Sequence, residues 1–154
     1  MIRLFLSTDA GPCQDIIYEH LNFYAHDLTR EAQEFMKANM TVSRLIAKSR
    51  EGYWLVAEHK GVCGMGVLDR GEIKHMFVAK KMHGQGIGRK ILDKLELEAK
   101  KQNLQRLFLN AAKNSINFYL KAGFYIVKEN SICVDNIRID QILMGKNLNS
   151  GANT

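Results

Sequence analysis

Three glycines near the middle of the chain mark the segment in which residue types and spacing point most clearly to chemistry. Gly84, Gly86 and Gly88 follow an apolar run that ends at Val78, and a helical pattern begins at Ile87. Glycine permits positive φ and lets the backbone approach a ligand closely. A helix start adds free amide N–H groups and a positive dipole end, which suit a phosphate. The segment therefore predicts a phosphate-binding loop.

Two familiar phosphate loops do not fit this segment. A P-loop requires the string G-x-x-x-x-G-K-[ST], which occurs nowhere in the chain. A Rossmann loop requires G-x-G-x-x-G and an acidic residue about 20 positions later. Here the spacing is Gly84-x-Gly86-x-Gly88, and residues 107–110 contain no carboxylate. Both of these loop types are therefore excluded.

A third kind of loop matches the glycine segment. The run from His83 to Gly88 resembles the pyrophosphate loop of the GNAT superfamily, the acetyl-CoA-dependent N-acetyltransferases, whose signature is [Gln/Arg]-x-x-Gly-x-[Gly/Ala]. A second family segment, which ends in Phe-Tyr-x-x-x-Gly-Phe, is similar to residues 114–124. The chain departs from the pattern in having His83 for the usual Gln or Arg, and Lys80 where proline is common. A neutral imidazole still offers one N–H donor, so the implied pyrophosphate contact is weakened at most. Neither departure undermines the implied fold.

The resemblance implies acetyl-CoA as the co-substrate and no metal. In this family two strands, here Glu72–Val78 and Gln105–Ala111, splay apart and hold the pantetheine arm between them. The arm pairs with the backbone of the first strand, and the glycine loop holds the pyrophosphate. The implied cofactor contacts are Met76, Phe77, Val78, His83, Gly84, Gln85, Gly86, Ile87, Gly88, Arg89, Asn114 and Lys121.

The implied reaction is direct attack of an amine on the thioester, which needs a neutral amine and a proton for the leaving thiolate. Tyr119 matches the family tyrosine that often supplies this proton, although it also fits a core aromatic position. Glu72 lies where some family members carry a general base, and it also fits an exposed carboxylate after a turn. His75 and a water chain are alternative bases. A non-catalytic acyl-CoA-binding sensor remains the alternative function.

The acceptor is less defined than the cofactor. In this family it enters from the first two helices and nearby strands, so the resemblance offers candidate wall residues that equally fit ordinary core or surface positions. Residues 9–27 hold no acidic cluster, which argues against polyamine and aminoglycoside acceptors. A primary amine of a small molecule or peptide is therefore expected. The candidate wall residues are Phe23, Tyr24, His26, Asp27 and Trp54.

The elements that must position these residues follow the order β-α-α-β-β-β-α-β-α-β-β. This order predicts an α/β fold, a GNAT-like mixed and mostly antiparallel sheet of about seven strands flanked by about four helices. Only the strands around the helix Ile87–Lys101 should be parallel neighbours, because a parallel pair needs a crossover connection. One helix is expected from Thr29 to Lys48, with Thr29 as its cap. Asn114 is expected to cap a short helix, and Asn136–Met144 to form the last strand.

Length and composition fit one globular domain. The 154 residues are 46% hydrophobic and 25% charged, so a single domain over residues 1–148 is expected, followed by a polar tail at 149–154. No apolar run approaches the ~18–20 residues that span a bilayer. The start carries Arg3 and Asp9 and resembles a strand more than a signal peptide. We therefore expect a cytoplasmic protein without a membrane segment.

The cysteine spacing and the charge distribution restrict the kinds of ligand that the chain is expected to bind. Three cysteines without C-x-x-C spacing, and five histidines without ligand spacing, predict reduced thiols and no metal site. The net charge is 22 − 16 = +6, and it is concentrated between Lys80 and Arg106. This segment contains eight basic and three acidic residues. This excess suits a phosphorylated cofactor, whereas the interleaved aromatics of a nucleic-acid surface are missing. No nucleic-acid partner is therefore expected, and the resemblance allows a homodimer.

Overall fold

A seven-stranded sheet with the order β1-β2-β3-β4-β5-β9-β6 runs through the molecule, and β7 pairs with β8 in a separate hairpin. The computed structural model describes residues 1–26 and 28–148, so Asp27 and the expected tail at 149–154 lie outside it. The strands are β1 (Ile2–Leu4), β2 (Tyr53–Glu58), β3 (Val62–Asp69), β4 (Glu72–Val78), β5 (Arg106–Ala111), β6 (Tyr125–Glu129), β7 (Ile132–Val134), β8 (Ile137–Ile139) and β9 (Ile142–Asn147). The helices are α1 (Ala10–Tyr24), α2 (Arg30–Ala38), α3 (Val42–Lys48), α4 (Ile87–Lys101) and α5 (Ile116–Lys121).

The parallel pair lies where the sequence predicts it. Every neighbouring pair in the sheet is antiparallel except β4 and β5, which flank α4. Their strand register holds one pair, Glu72 with Phe108, and the Phe108 amide donates to the Gly71 carbonyl at 3.0 Å. Beyond this point β4 and β5 diverge. The predicted mixed sheet with one splayed pair is therefore confirmed.

Helices cover both faces of the sheet because its central strands are apolar on both sides. In β2, Leu55 and Ala57 belong to the core cluster that contains Ile91 and Leu95 of α4. Trp54 and Val56 point the other way, into the cluster built by α1 and α3. Successive side chains of a strand alternate between faces, so a strand buried on both sides is a run of apolar residues. None of the described helices is long and apolar enough to cross a membrane.

A β-bulge bends β4 at the point where it leaves β5. Met65 pairs with Phe77 and Val67 with Lys74, so two residues of β4 face the single residue Gly66 of β3. The first of the two, His75, has φ +54°, which is rare for a residue with a side chain. A bulge increases local bending of the strand that carries it. The bulge therefore contributes to the splay that opens the sheet.

We expect Gly66→Ala to destabilise the fold by about 1–3 kcal/mol, because overpacking in a filled core forces neighbours to shift. A Cβ on Gly66 would lie 2.5 Å from Met76 Sδ and 2.7 Å from Ile91 Cγ2. Urea unfolding measures the change. Gly11→Ala in α1 is the control, since a Cβ there meets nothing within 4 Å. Equal unfolding midpoints for the two variants would contradict this account of the packing.

The helix expected from Thr29 to Lys48 is two helices, so that prediction is wrong in its middle. Thr29 does cap α2, its Oγ1 accepting from the Ala32 amide at 3.1 Å. The chain then breaks at residues 39–41, and Thr41 caps α3 through Oγ1 and the Arg44 amide at 3.4 Å. A second Thr at a cap position was the available signal.

The end of the chain also departs from the expectation. The strand expected at Asn136–Met144 is divided into β8 and β9, and β7 pairs with β8 through the two-residue turn Asp135-Asn136. Both turn residues have positive φ, +50° and +64°. Such two-residue turns favour Asn and Asp, so this dipeptide was a readable hairpin signal. The hairpin matters because β8 packs against α2 beside the site.

Candidate active site

The glycine loop presents a row of amide groups at the start of α4. Gly84 and Gly86 both have left-handed backbone, with φ +80° and +79°. The first helical hydrogen bond is donated by the Lys90 amide to the Gly86 carbonyl at 3.0 Å. Within the described residues, the amides of 84–89 have no hydrogen-bond acceptor. Six consecutive N–H donors on a left-handed turn and a helix start form an anion-binding concavity.

Two side chains of the loop, those of Arg89 and His83, are bonded to other parts of the protein. Arg89 Nε donates to Asp93 Oδ1 at 3.0 Å, and Arg89 Nη1 donates to the Lys121 carbonyl at 3.2 Å. His83 Nε2 lies 2.9 Å from the Val78 carbonyl. Since a neutral imidazole has one N–H, this bond engages the donor that the sequence assigned to pyrophosphate. The phosphate-binding capacity of the loop therefore lies in its backbone amides.

A cleft of about 620 Å³ continues from the loop along the splayed strand. Its walls include Met76, Phe77 and Val78 of β4, the residues that the sequence assigned to the pantetheine arm. Glu72 is the only residue of β4 that pairs with β5 in the described part of the chain, so Met76, Phe77 and Val78 have no partner on that strand. Their backbone groups on that side are thus available to a ligand that runs along the strand. The loop, the cleft and the unpaired strand edge together fit a long ligand with a phosphate end and an extended amide-bearing arm.

Tyr119 lies at the junction between this cleft and a second one. The residue is 7% exposed, and its ring makes edge-to-face contacts with Phe118 and Phe124, with centroids 5.0 Å and 5.7 Å away. The hydroxyl has no hydrogen-bond partner among the described residues. None of their fully buried side-chain oxygen or nitrogen atoms lacks a partner, so this hydroxyl is accessible. It therefore contacts the open space of the clefts, both of which it lines. Burial raises the pKa of Tyr119, which keeps the phenol protonated.

Asn114 lines both clefts but is not a helix cap, so that half of its prediction is wrong. The residue lies in a 3-10 turn, Lys113–Ser115, and the cap of α5 is Ser115, without a side-chain hydrogen bond. Asn114 Nδ2 instead donates to the Tyr24 carbonyl at 2.6 Å. This bond joins the end of α1 to the start of α5 across the mouth of the cleft. The side chain is used to hold the two walls together.

The second cleft, of about 550 Å³, lies between the first two helices, β4, β5 and the β7–β8 hairpin. Glu72 lines it, with Oε1 3.8 Å from Lys74 Nζ. Of the wall residues suggested by the resemblance, Tyr24 lines both clefts. Phe23, His26 and Trp54 do not line either cleft in the described part of the chain. His20, which the sequence analysis did not single out, lines both, and burial lowers its pKa.

His75 lies in the wall of the second cleft at the bulge. Its ring packs on Trp54 with centroids 5.5 Å apart. Burial, with smaller contributions from Lys48 and Lys74, lowers the pKa of His75 from 6.5 to about 4. The ring is therefore neutral at neutral pH and is a weak base, which leaves Glu72 or water as the better candidate for that role.

This depressed pKa predicts a pH-dependent stability. Between the unfolded pKa of 6.5 and the folded value of about 4, the unfolded chain binds a proton that the folded chain does not. Stability is therefore complete above the unfolded pKa and is lost as the pH falls through this window. We expect a loss of about 2 kcal/mol from about pH 7 to about pH 5. Urea unfolding of parent and His75→Asn, a residue that tolerates the positive φ, measures it; equal losses would contradict the assignment.

The described residues contain no group of three or more His, Cys, Asp or Glu side chains that could hold a metal ion. Solved structures share this fold, two of the three described here over 96% of the chain. A GCN5-related N-acetyltransferase from Rhodopseudomonas palustris is 22% identical, covers 96% of this chain and 95% of its own, and has a TM-score of 0.86. The PaiA N-acetyltransferase from Thermoplasma acidophilum, in complex with coenzyme A, is 17% identical over 96% and 98%, with a TM-score of 0.79. A GNAT family acetyltransferase from Elizabethkingia anophelis with acetyl-CoA bound is 26% identical over 68% and 82%, at a TM-score of 0.56.

The splayed sheet and its phosphate loop thus define an acyltransferase that takes its acyl group from a CoA thioester. The model of the acetyltransferase (GNAT) domain matches residues 15–144, and the chain belongs to this family. It is therefore an acetyl-CoA-dependent acyltransferase, as the resemblance implied.

Proposed function

We propose that this chain transfers the acetyl group of acetyl-CoA directly to a primary amine of a small molecule or peptide. The observation that carries the proposal is the position of the Tyr119 hydroxyl, which has no partner among the described residues and lies where the two clefts meet. One cleft fits the cofactor, and the other leads from that hydroxyl toward solvent. Two ligands that enter from opposite sides would react beside this group.

Acetyl-CoA supplies the thioester, and the chain's residues supply position and protons. We assign the pyrophosphate to the backbone amides of 84–89 and the pantetheine arm to the edge of β4 at Met76–Val78. One amide of this edge polarises the thioester carbonyl. Arg89 and Lys121 keep positive charge near the phosphates.

The proton balance assigns separate roles to two side chains. The amine nitrogen forms a bond to the acetyl carbon, the carbon–sulfur bond breaks, and the amine loses one proton. Glu72 accepts this proton, through water, because its carboxylate lines the acceptor cleft. Tyr119 donates a hydrogen bond and then its phenolic proton to the leaving sulfur, and the phenolate regains a proton from Glu72 through water. Burial raises the pKa of Tyr119, so this transfer is favourable only because the thiolate is also poorly solvated in the cleft.

Amine-dependent release of the CoA thiol tests the proposal. The enzyme is mixed with acetyl-CoA and each member of a set of primary amines, and free thiol and acetylated amine are quantified together. We expect equal amounts of both products, and no release with matched tertiary amines, which lose no N–H proton. Tight binding of acetyl-CoA without release by any amine would instead favour a non-catalytic acyl-CoA sensor. The cytoplasmic location, the homodimer and the absence of a nucleic-acid partner stay predictions.

A further inference from the structure

The second cleft has one wall of apolar side chains and polar or charged side chains around the rest of its lining. Side chains from α1, α2 and β8 line it, and β8 closes the cleft by packing against α2. Its principal apolar residues are Leu21, Leu28, Phe35, Met36, Met40 and Ile139. An apolar wall that faces polar groups is typical of small-molecule sites and favours an occupant with an apolar part on that side.

The acidic side chains that line this cleft have basic neighbours. The two carboxylates that line it are both paired: Glu72 lies 3.8 Å from Lys74 Nζ, and Asp140 accepts from Arg138 Nε at 2.8 Å. Ser131 Oγ also donates to Asp140, at 2.8 Å. Asp140 is thus held by its partners, and Glu72 is offset in part by Lys74, whose ammonium also donates to Asp69 at 3.1 Å. The cleft therefore offers little to a polycationic acceptor.

Lys48 at the end of α3 is different. It lines the same cleft, but its Nζ has no ion-pair or hydrogen-bond partner within residues 1–26 and 28–148. Lys48 is an exposed residue, but partial burial of its amine lowers its pKa, and the nearby Lys74 and Arg44 lower it further. These three neighbouring cations make the corner a region of positive potential, in which Lys48 has no counterion among the described residues. A ligand carboxylate would supply the missing counterion, by accepting a charge-assisted hydrogen bond from the Lys48 ammonium.

We propose that the acceptor is a primary amine that carries a carboxylate on an apolar body, such as an apolar amino acid, and that Lys48 binds the carboxylate. The proposal rests on the proposed function, since it assigns the acceptor of that reaction. The apolar side chain lies against α2 and β8, and the amine points toward Tyr119. Lys48 is then a specificity residue at the cleft wall, away from the reacting atoms.

Matched acceptors separate the carboxylate from the rest of the molecule. L-leucine, L-methionine and L-phenylalanine are compared with their carboxamides, which keep the amine and the apolar side chain. For the acids, Lys48→Met is expected to lower kcat/KM by about 10-fold, mainly by raising KM, since a partly exposed charge pair is screened by solvent. For the amides, the change is expected to stay within about 2-fold, as no charge is lost against them.

Two further variants control for the loss of a lysine as such. Lys48→Arg keeps the positive charge and is expected to retain most of the turnover of the acids. Lys94→Met removes the same charge from an exposed position on α4, across the sheet, and should leave every acceptor unaffected. Because amide and acid differ in amine basicity, the quantity compared is the effect of each substitution within one acceptor.

The outcomes separate this inference from the proposed function. Turnover of the acids that depends on Lys48 supports both. Turnover of amides or carboxylate-free amines but not of the acids, or an equal effect of Lys48→Met on acids and amides, overturns the inference and leaves the amine acetyltransferase in place. Acetyl-CoA binding without turnover of any amine overturns both.

Discussion

Calorimetric titration of Gly86→Asp with acetyl-CoA is expected to show no binding, whereas the parent binds in about the micromolar range that is ordinary for enzyme substrates. Gly86 has φ +79°, and a Cβ there meets nothing within 4 Å, so the new side chain has room. Its carboxylate would stand beside the amide row of 84–89 and repel a pyrophosphate. Loss of binding therefore reports on the anion site and not on the core.

The control for this variant isolates backbone strain. Gly61 in the β2–β3 turn also has positive φ, +113°, and a Cβ at this position would meet nothing within 4 Å. Gly61→Asp imposes a comparable strain of about 1–3 kcal/mol outside the loop. It should bind acetyl-CoA like the parent. Retained affinity in Gly86→Asp, or an equal loss in both variants, would contradict the assignment of the phosphates to the glycine loop.

Tyr119→Phe is expected to lower kcat by about 100-fold, the lower end of what a positioned general acid contributes. Affinity for acetyl-CoA should be almost unchanged, because the aromatic contacts with Phe118 and Phe124 remain. Stability should change little, since the hydroxyl has no partner among the described residues. Steady-state kinetics, calorimetry and urea unfolding measure the three effects separately.

A second tyrosine provides the matched comparison. Tyr125 on the edge strand β6 is 42% exposed and lines neither cleft in the described part of the chain. Tyr125→Phe should therefore retain full turnover. Unchanged kcat for Tyr119→Phe at every pH would show that the leaving thiolate is protonated by another group.

The glycine loop at the start of α4 and the splayed strand pair were predictable from sequence because their signals are local. The glycine spacing, the apolar period of α4 and the strand that precedes them occupy one continuous segment, and α4 begins at Ile87 in both prediction and structure. The parallel pair followed from the crossover that α4 makes. The orientation of the His83 ring was not predictable, since nothing in a sequence says that a Val78 carbonyl lies 2.9 Å away.

The acceptor half required the structure. Lys48 and Lys74 lie far apart in the chain, and their shared position in one cleft depends on how α3 packs against α1. The β7–β8 hairpin supplies a further wall, although its Asp135-Asn136 turn was visible in the sequence. Pairing of charges decides which side chain is available to a ligand, and pairing is a tertiary property. Sequence composition alone therefore suggested only that polycations were disfavoured.

The structure of the chain in complex with acetyl-CoA tests the central claim most directly. The account predicts the pyrophosphate on the amides of 84–89, the pantetheine arm along Met76–Val78, and the thioester sulfur within about 3.5 Å of the Tyr119 hydroxyl, the reach of a proton donor. A pyrophosphate bound away from the glycine loop, or a sulfur well beyond hydrogen-bond reach of Tyr119, would contradict it.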